Sequence, residues 1–219
     1  MIFYFLVVED TKDSITAVTK LLATGFPQSR IDVAETVKKG LELIQKASRE
    51  GQPYHAAILD LKLPYDKGAE LKADTSLCCT IKDTKSPTLV IHWTAYPHDA
   101  DLTDHLIKFH VEPDDPRAAL VSKLEVDWPE KLLSKLRACL YGAHIRKQIS
   151  SIFGERSGSI MSTKGHMTHD LNALFRSVIE YWDHLDDPLR DEIKGLFQVD
   201  PQARPIRISL VKDVEKLGT

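Results

Sequence analysis

Four apolar runs in this chain end in side chains that can handle a phosphoryl group. Phe5–Val8 runs into Glu9 and Asp10, and Ala56–Leu59 runs into Asp60. Leu89–Ile91 leads through His92 and Trp93 into Thr94, and Ala118–Val121 ends at Ser122 and Lys123. Short apolar runs that stop at a polar residue read as buried parallel strands whose carboxyl ends reach the surface. In open α/β sheets that edge is where ligands bind. Three acids, a hydroxyl and a lysine would then share one rim. A carboxylate can attack phosphorus and carry the group as an acyl phosphate. The attack brings like charges together, so a divalent cation and an ammonium such as that of Lys123 are needed to neutralise them. Mg²⁺ suits an all-oxygen site with one or two carboxylates and retained waters. A single acid at a strand end is usually a turn or cap residue; the ordered set carries the reading.

The elements that must position these residues alternate between strand and helix over 1–150, which argues for a parallel sheet with crossover helices. The pattern predicts strands over 2–8, 30–34, 56–59, 88–93 and 118–122. It predicts helices over 14–24 and 37–49, a helical stretch near 77–81, and helices over 100–109 and from Pro129 to about Phe153. Gly25 is expected to close the first helix. A turn falls at Asp66–Gly68, and 111–116 is an acidic, proline-bounded loop. Beyond it, 154–163 is rich in Gly and Ser and reads as a hinge. A helix is expected over 168–185, with Leu171, Leu174, Phe175, Val178, Ile179 and Trp182 on its apolar face. Asp187-Pro188 should break it. A short helix over 189–197, a loop over 201–205 and a strand over 206–211 follow. The implied division is 1–150 and a helical module at 151–219.

Composition narrows the function classes. The chain has 219 residues, 42% hydrophobic and 28% charged, which are the proportions of a globular protein long enough for one full domain and a smaller second one. A net charge of −3 offers no argument for a nucleic-acid partner. The first apolar run is too short to span a bilayer and no basic residue precedes it, so no membrane or signal segment is expected. Cys78, Cys79 and Cys139 are odd in number and lack metal-ligand spacing. They read as reduced thiols of a cytoplasmic protein.

Taken in order, Phe5-Leu6-Val7-Val8-Glu9-Asp10, Ile58-Leu59-Asp60-Leu61-Lys62-Leu63-Pro64 with Gly68 beyond, Thr94-Ala95 and Lys123 resemble the receiver domain of bacterial two-component response regulators. The resemblance covers 1–150. It implies a flavodoxin-like, doubly wound five-stranded sheet of order 2-1-3-4-5, here with a small, mainly helical C-terminal extension. It further implies that Asp60 accepts a phosphoryl group from the phosphohistidine of a sensor histidine kinase or phosphotransfer protein. Glu9, Asp10, Asp60 and the backbone carbonyl of Lys62 would hold Mg²⁺. Thr94 and Lys123 would engage the phosphoryl oxygens, and the chain would be a switch with at most slow self-dephosphorylation rather than a turnover enzyme.

Several positions depart from the family pattern. Leu124 follows Lys123 where proline is usual, leaving the isomer of that peptide open. Leu120 stands where many members carry a switching Tyr or Phe. Lys62 puts a cation two residues after the acceptor, where it could slow hydrolysis or weaken metal binding. Tyr96 could shield the site. A receiver that only docks, without phosphorylation, is one alternative. A phosphatase with Asp60 as nucleophile is another, weakened because such enzymes place an acid where Lys62 stands. Thr168-His169-Asp170-Leu171-Asn172 is similar to the phosphoacceptor segment of histidine-kinase dimerisation helices. His169 could therefore accept a phosphoryl group in a relay, but the favoured reading of the segment is a solvated first helical turn, a helix that docks or forms a homodimer included.

Overall fold

The computed structural model describes residues 2–84, 88–100, 104, 118–154 and 164–210. They form two compact units, Met1–Leu136 and Arg137–Thr219.

The first unit is built on strands β1 (Tyr4–Val8), β2 (Arg30–Ala34) and β3 (Ala56–Leu59). A short pair follows, β4 (Lys62–Pro64) and β5 (Leu71–Ala73), then β6 (Leu89–Thr94) and β7 (Ala118–Ser122). Helices α1 (Lys12–Gly25), α2 (Val37–Arg49) and α3 (Ser76–Asp83) connect them, and α4 (Trp128–Ile149) follows β7. The main sheet has the order β2-β1-β3-β6-β7 and is parallel throughout. With β4 and β5 set aside as an inserted hairpin, this is the expected 2-1-3-4-5 arrangement.

The central strands are buried on both faces because their residues are apolar without alternation. Phe5, Leu6, Val7 and Val8 are fully buried, as are Ala56, Ala57 and Ile58. Each large side chain among them contributes about 1.5–3 kcal/mol on leaving water. Helix α2 starts on Thr36, whose hydroxyl accepts from Lys39 N at 3.2 Å. It buries Val37, Gly40, Ile44 and Ala47 against the sheet. A Cβ on Gly40 would lie 2.7 Å from Leu77 Cδ2 and 3.3 Å from Val8 Cγ2, so glycine is what lets α2 come this close. Gly25 serves packing in the same way. It is the last residue of α1 rather than a left-handed cap, and its missing side chain makes room for Leu133.

The second unit begins within α4. It adds α5 (Lys164–Tyr181), α6 (Asp187–Leu196) and the antiparallel pair β8 (Phe197–Asp200) and β9 (Arg207–Leu210). Its core gathers Ile145, Ile149, Leu174, Val178, Trp182, Leu189, Ile193 and Phe197. Of the expected apolar stripe, Leu174 and Val178 on α5 and Trp182 just after it are buried, whereas Ile179 is exposed. The helix ends at Tyr181, earlier than expected. Asp186 caps the next helix instead, its carboxylate accepting from Leu189 N at 2.8 Å. The expected helix over 100–109, the loop over 111–116 and the hinge over 154–163 fall largely outside the described residues. The only cis peptide among the described residues is Arg204–Pro205, so Lys123–Leu124 is trans.

One consequence for stability concerns His55, at the opposite end of the sheet from the acids. Its Nδ1 accepts from Tyr4 N at 3.1 Å, and the ring stacks on Tyr4. Burial holds the imidazole below its ordinary 6.5. The unfolded chain therefore binds a proton that the folded chain resists, so this contribution is complete above pH 6.5 and is lost as pH falls toward the folded value. Denaturant midpoints are expected to drop on acidification across this range, and to drop less in His55→Asn, whose amide oxygen can still accept from Tyr4.

Candidate functional site

The carboxyl ends of β1, β3, β6 and β7 do share one rim. Parallel pairing sets Val8 beside Leu59, Leu59 beside His92, and Thr94 beside Ser122. The residues that follow each strand therefore arrive together. Asp60 N donates to Val8 O at 2.9 Å, and Lys123 N donates to Thr94 O at 2.9 Å. Carboxylate oxygens of Glu9, Asp10 and Asp60 all lie within 4.8 Å of one another.

Lys123 ties this cluster together. Its ammonium donates to Asp60 Oδ2 at 2.7 Å and also to Glu9 Oε2. It lies 4.7 Å from the centre of the Trp93 ring, over the indole. The other oxygens are also used: Asp60 Oδ1 accepts from Leu61 N at 2.7 Å, and Glu9 Oε1 accepts from Thr11 N at 3.0 Å. Glu9 is only 1% exposed. Its burial raises the carboxyl above the usual range, opposed chiefly by the Lys123 hydrogen bond and charge. Three carboxylates against one ammonium leave an excess of negative charge in hard oxygen donors, two of them on buried residues. That donor set fits a small divalent cation such as Mg²⁺.

Thr94 is fully buried at the end of β6, and its hydroxyl accepts from Tyr96 N at 3.2 Å. Lys62 behaves differently from the rest of the set. Its ammonium pairs with Asp99 Oδ2 at 3.2 Å and sits 4.0 Å from the centre of the Tyr96 ring. Trp93 packs on Trp128 with ring centres 4.8 Å apart as well as under Lys123. Asp99 had no signal in the sequence, since nothing in the order of residues ties it to Lys62. The backbone of His169 lies in α5 of the second unit; its side chain lies outside the described residues.

No protein-family model matches the sequence, and no curated protein matches it. Solved structures do. The signal receiver domain of a LuxO repressor protein from Vibrio parahaemolyticus superimposes with a TM-score of 0.50 at 20% identity, over 68% of this chain and 98% of that one. A receiver domain from Clostridium thermocellum gives a TM-score of 0.48 at 16% identity, over 67% and 98%. The receiver domain of the sensor histidine kinase PA1611 from Pseudomonas aeruginosa, solved with magnesium in its active-site cleft, gives 0.47 at 18%, over 64% and 98%. By the first of these matches, the N-terminal two thirds of the chain has the response-regulator receiver fold, and the segment after it has no recognised counterpart. Among the described residues no helix is long and apolar enough to cross a membrane.

Proposed function

We propose that this protein is a cytoplasmic two-component response regulator that accepts a phosphoryl group on Asp60 from a histidine kinase or phosphotransfer protein, and that residues 151–219 form its output module. The observation that carries this reading is the single ammonium of Lys123 bonded to both Glu9 and Asp60 inside a three-carboxylate cluster. In the step, an Asp60 oxygen attacks phosphorus while the phosphorus–nitrogen bond of the donor imidazole breaks. The electron pair of that bond leaves with the imidazole.

Glu9, Asp10 and Asp60, with the carbonyl of Lys62, would hold Mg²⁺, which when bound supplies charge neutralisation at the phosphoryl oxygens. Lys123 keeps Asp60 aimed into the rim and remains beside the oxygens of the transferred group. The Leu61 N–H holds the other Asp60 oxygen. The Thr94 hydroxyl accepts from Tyr96 N and keeps its own proton to donate, so it can hydrogen-bond a phosphoryl oxygen once that group is in place. Leu120 supplies no aromatic ring for a tyrosine-type readout.

Intact mass after acetyl phosphate treatment tests the reading. Wild type is expected to gain one phosphoryl group only when Mg²⁺ is present, and Asp60→Asn to gain none. Light scattering with a beryllofluoride mimic is expected to show a change in size or shape that Asp60→Asn lacks. No modification of wild type by any phosphodonor would leave a docking module.

A further inference from the structure

Lys62 carries a charge that the acid cluster does not need, and the structure shows where that charge is held. With Lys123 in place, three carboxylates have room for one divalent cation before the site is neutral. A second ammonium would make the site net positive with the cation bound. Lys62 stands two residues after Asp60, and its flexible four-carbon stem can swing its head group. Its ammonium is nevertheless turned onto Asp99 Oδ2 at 3.2 Å and across the face of Tyr96 at 4.0 Å. The Lys62 and Asp99 side chains are 32% and 19% exposed, so the pair is partly withdrawn from water and stronger than a fully solvated one. Tyr96 is itself held by its backbone N–H on the Thr94 hydroxyl.

We infer that Asp99 and Tyr96 are positioning residues that keep the Lys62 ammonium off the Glu9–Asp10–Asp60 cluster, and that this sets the affinity of the cluster for a divalent cation. The inference rests on the proposed metal-dependent acceptor site. Without the Asp99 carboxylate, the Lys62 head group is free to swing on a stem rooted two residues from Asp60, and on the acid cluster it would compete with the cation. Tyr96 contributes the smaller share, because a cation on an aromatic face is worth less than an ion pair at this exposure.

The test is Mg²⁺ binding by calorimetry, without any phosphodonor, on the full chain. Asp99→Asn is expected to weaken Mg²⁺ about tenfold, the scale of one added charge a few ångströms from a divalent ion. Lys62→Met is expected to bind at least as tightly as wild type. The double variant Lys62→Met/Asp99→Asn is expected to return to the Lys62→Met value, since no Lys62 ammonium is left to compete with the cation. Thermal unfolding without metal checks that each variant is folded. If wild type binds Mg²⁺ and Asp99→Asn binds equally well, the inference is overturned while the acceptor reading stands. If the double variant stays as weak as Asp99→Asn, Asp99 acts on the metal directly and the inference is again wrong. If wild type does not bind Mg²⁺, the metal-dependent acceptor reading itself fails.

Discussion

Lys123→Met is expected to lower the stability of the N-terminal unit by about 3 kcal/mol at neutral pH and to slow phosphoryl acceptance at least about 100-fold. The side chains of Glu9 and Asp60 are 1% and 9% exposed, and both face the same ammonium. Removing it leaves two buried carboxylates next to each other and next to Asp10. Such a loss is larger than the net worth of the ion pair, because the remaining charges stay desolvated. Methionine keeps the bulk of the stem over the Trp93 ring, so the change isolates the charge. Urea denaturation followed through the N-terminal unit is the measurement. Mg²⁺ is expected to recover part of the loss by supplying positive charge to the same oxygens. Adding Asp60→Asn is expected to reduce the penalty, since one of the stranded charges is then gone. An unchanged denaturation midpoint would mean that Lys123 is not neutralising the cluster.

Trp182→Ala is expected to cost the C-terminal unit about 3–5 kcal/mol, enough to unfold a small unit outright. Trp182 is 5% exposed and packs in the cluster built from α4, α5, α6 and β8. The Arg190 guanidinium lies 6.0 Å from its ring centre, and Arg190 Nε donates to Trp182 O at 3.1 Å. The core of this unit shares no residue with the cluster of Leu6, Val8, Ile44, Leu59 and Val90 that α2 and α3 cover in the first unit. Amide hydrogen exchange is therefore expected to lose protection across 141–154 and 164–208 while strands β1, β3 and β6 keep theirs. Simultaneous loss in both units would show that they fold as one.

The parallel sheet and the polar rim at its carboxyl edge were legible in residue types alone. A strand buried on both faces must be apolar throughout, and the first polar residue after it marks the end that meets solvent. Glu9 and Asp60 could be found that way because each directly follows such a run, and Thr94 and Lys123 because they lie within three residues of one. The inserted β4–β5 hairpin was read as a turn only. Its strands are short and include Pro64, two lysines and exposed Leu71, so they carry no alternation to read. Phe197 was read as the end of a helix because it continues the apolar spacing of α6, and 198–200 were left unassigned; Phe197–Asp200 become strand β8 through pairing with β9.

Lys123 was legible as the cation for the acids, although it lies 63 residues from Asp60. Where the Lys62 ammonium goes was not legible, because nothing in the order of residues ties it to Asp99. Tertiary packing gives the site to Lys123, because β7 delivers it beside β6 at the carboxyl edge, and it gives Lys62 to Asp99. Residue types and their order along the chain set which groups reach the rim. Which of them touch is decided by the neighbours that each side chain meets after the strands have paired, and those neighbours come from distant parts of the chain.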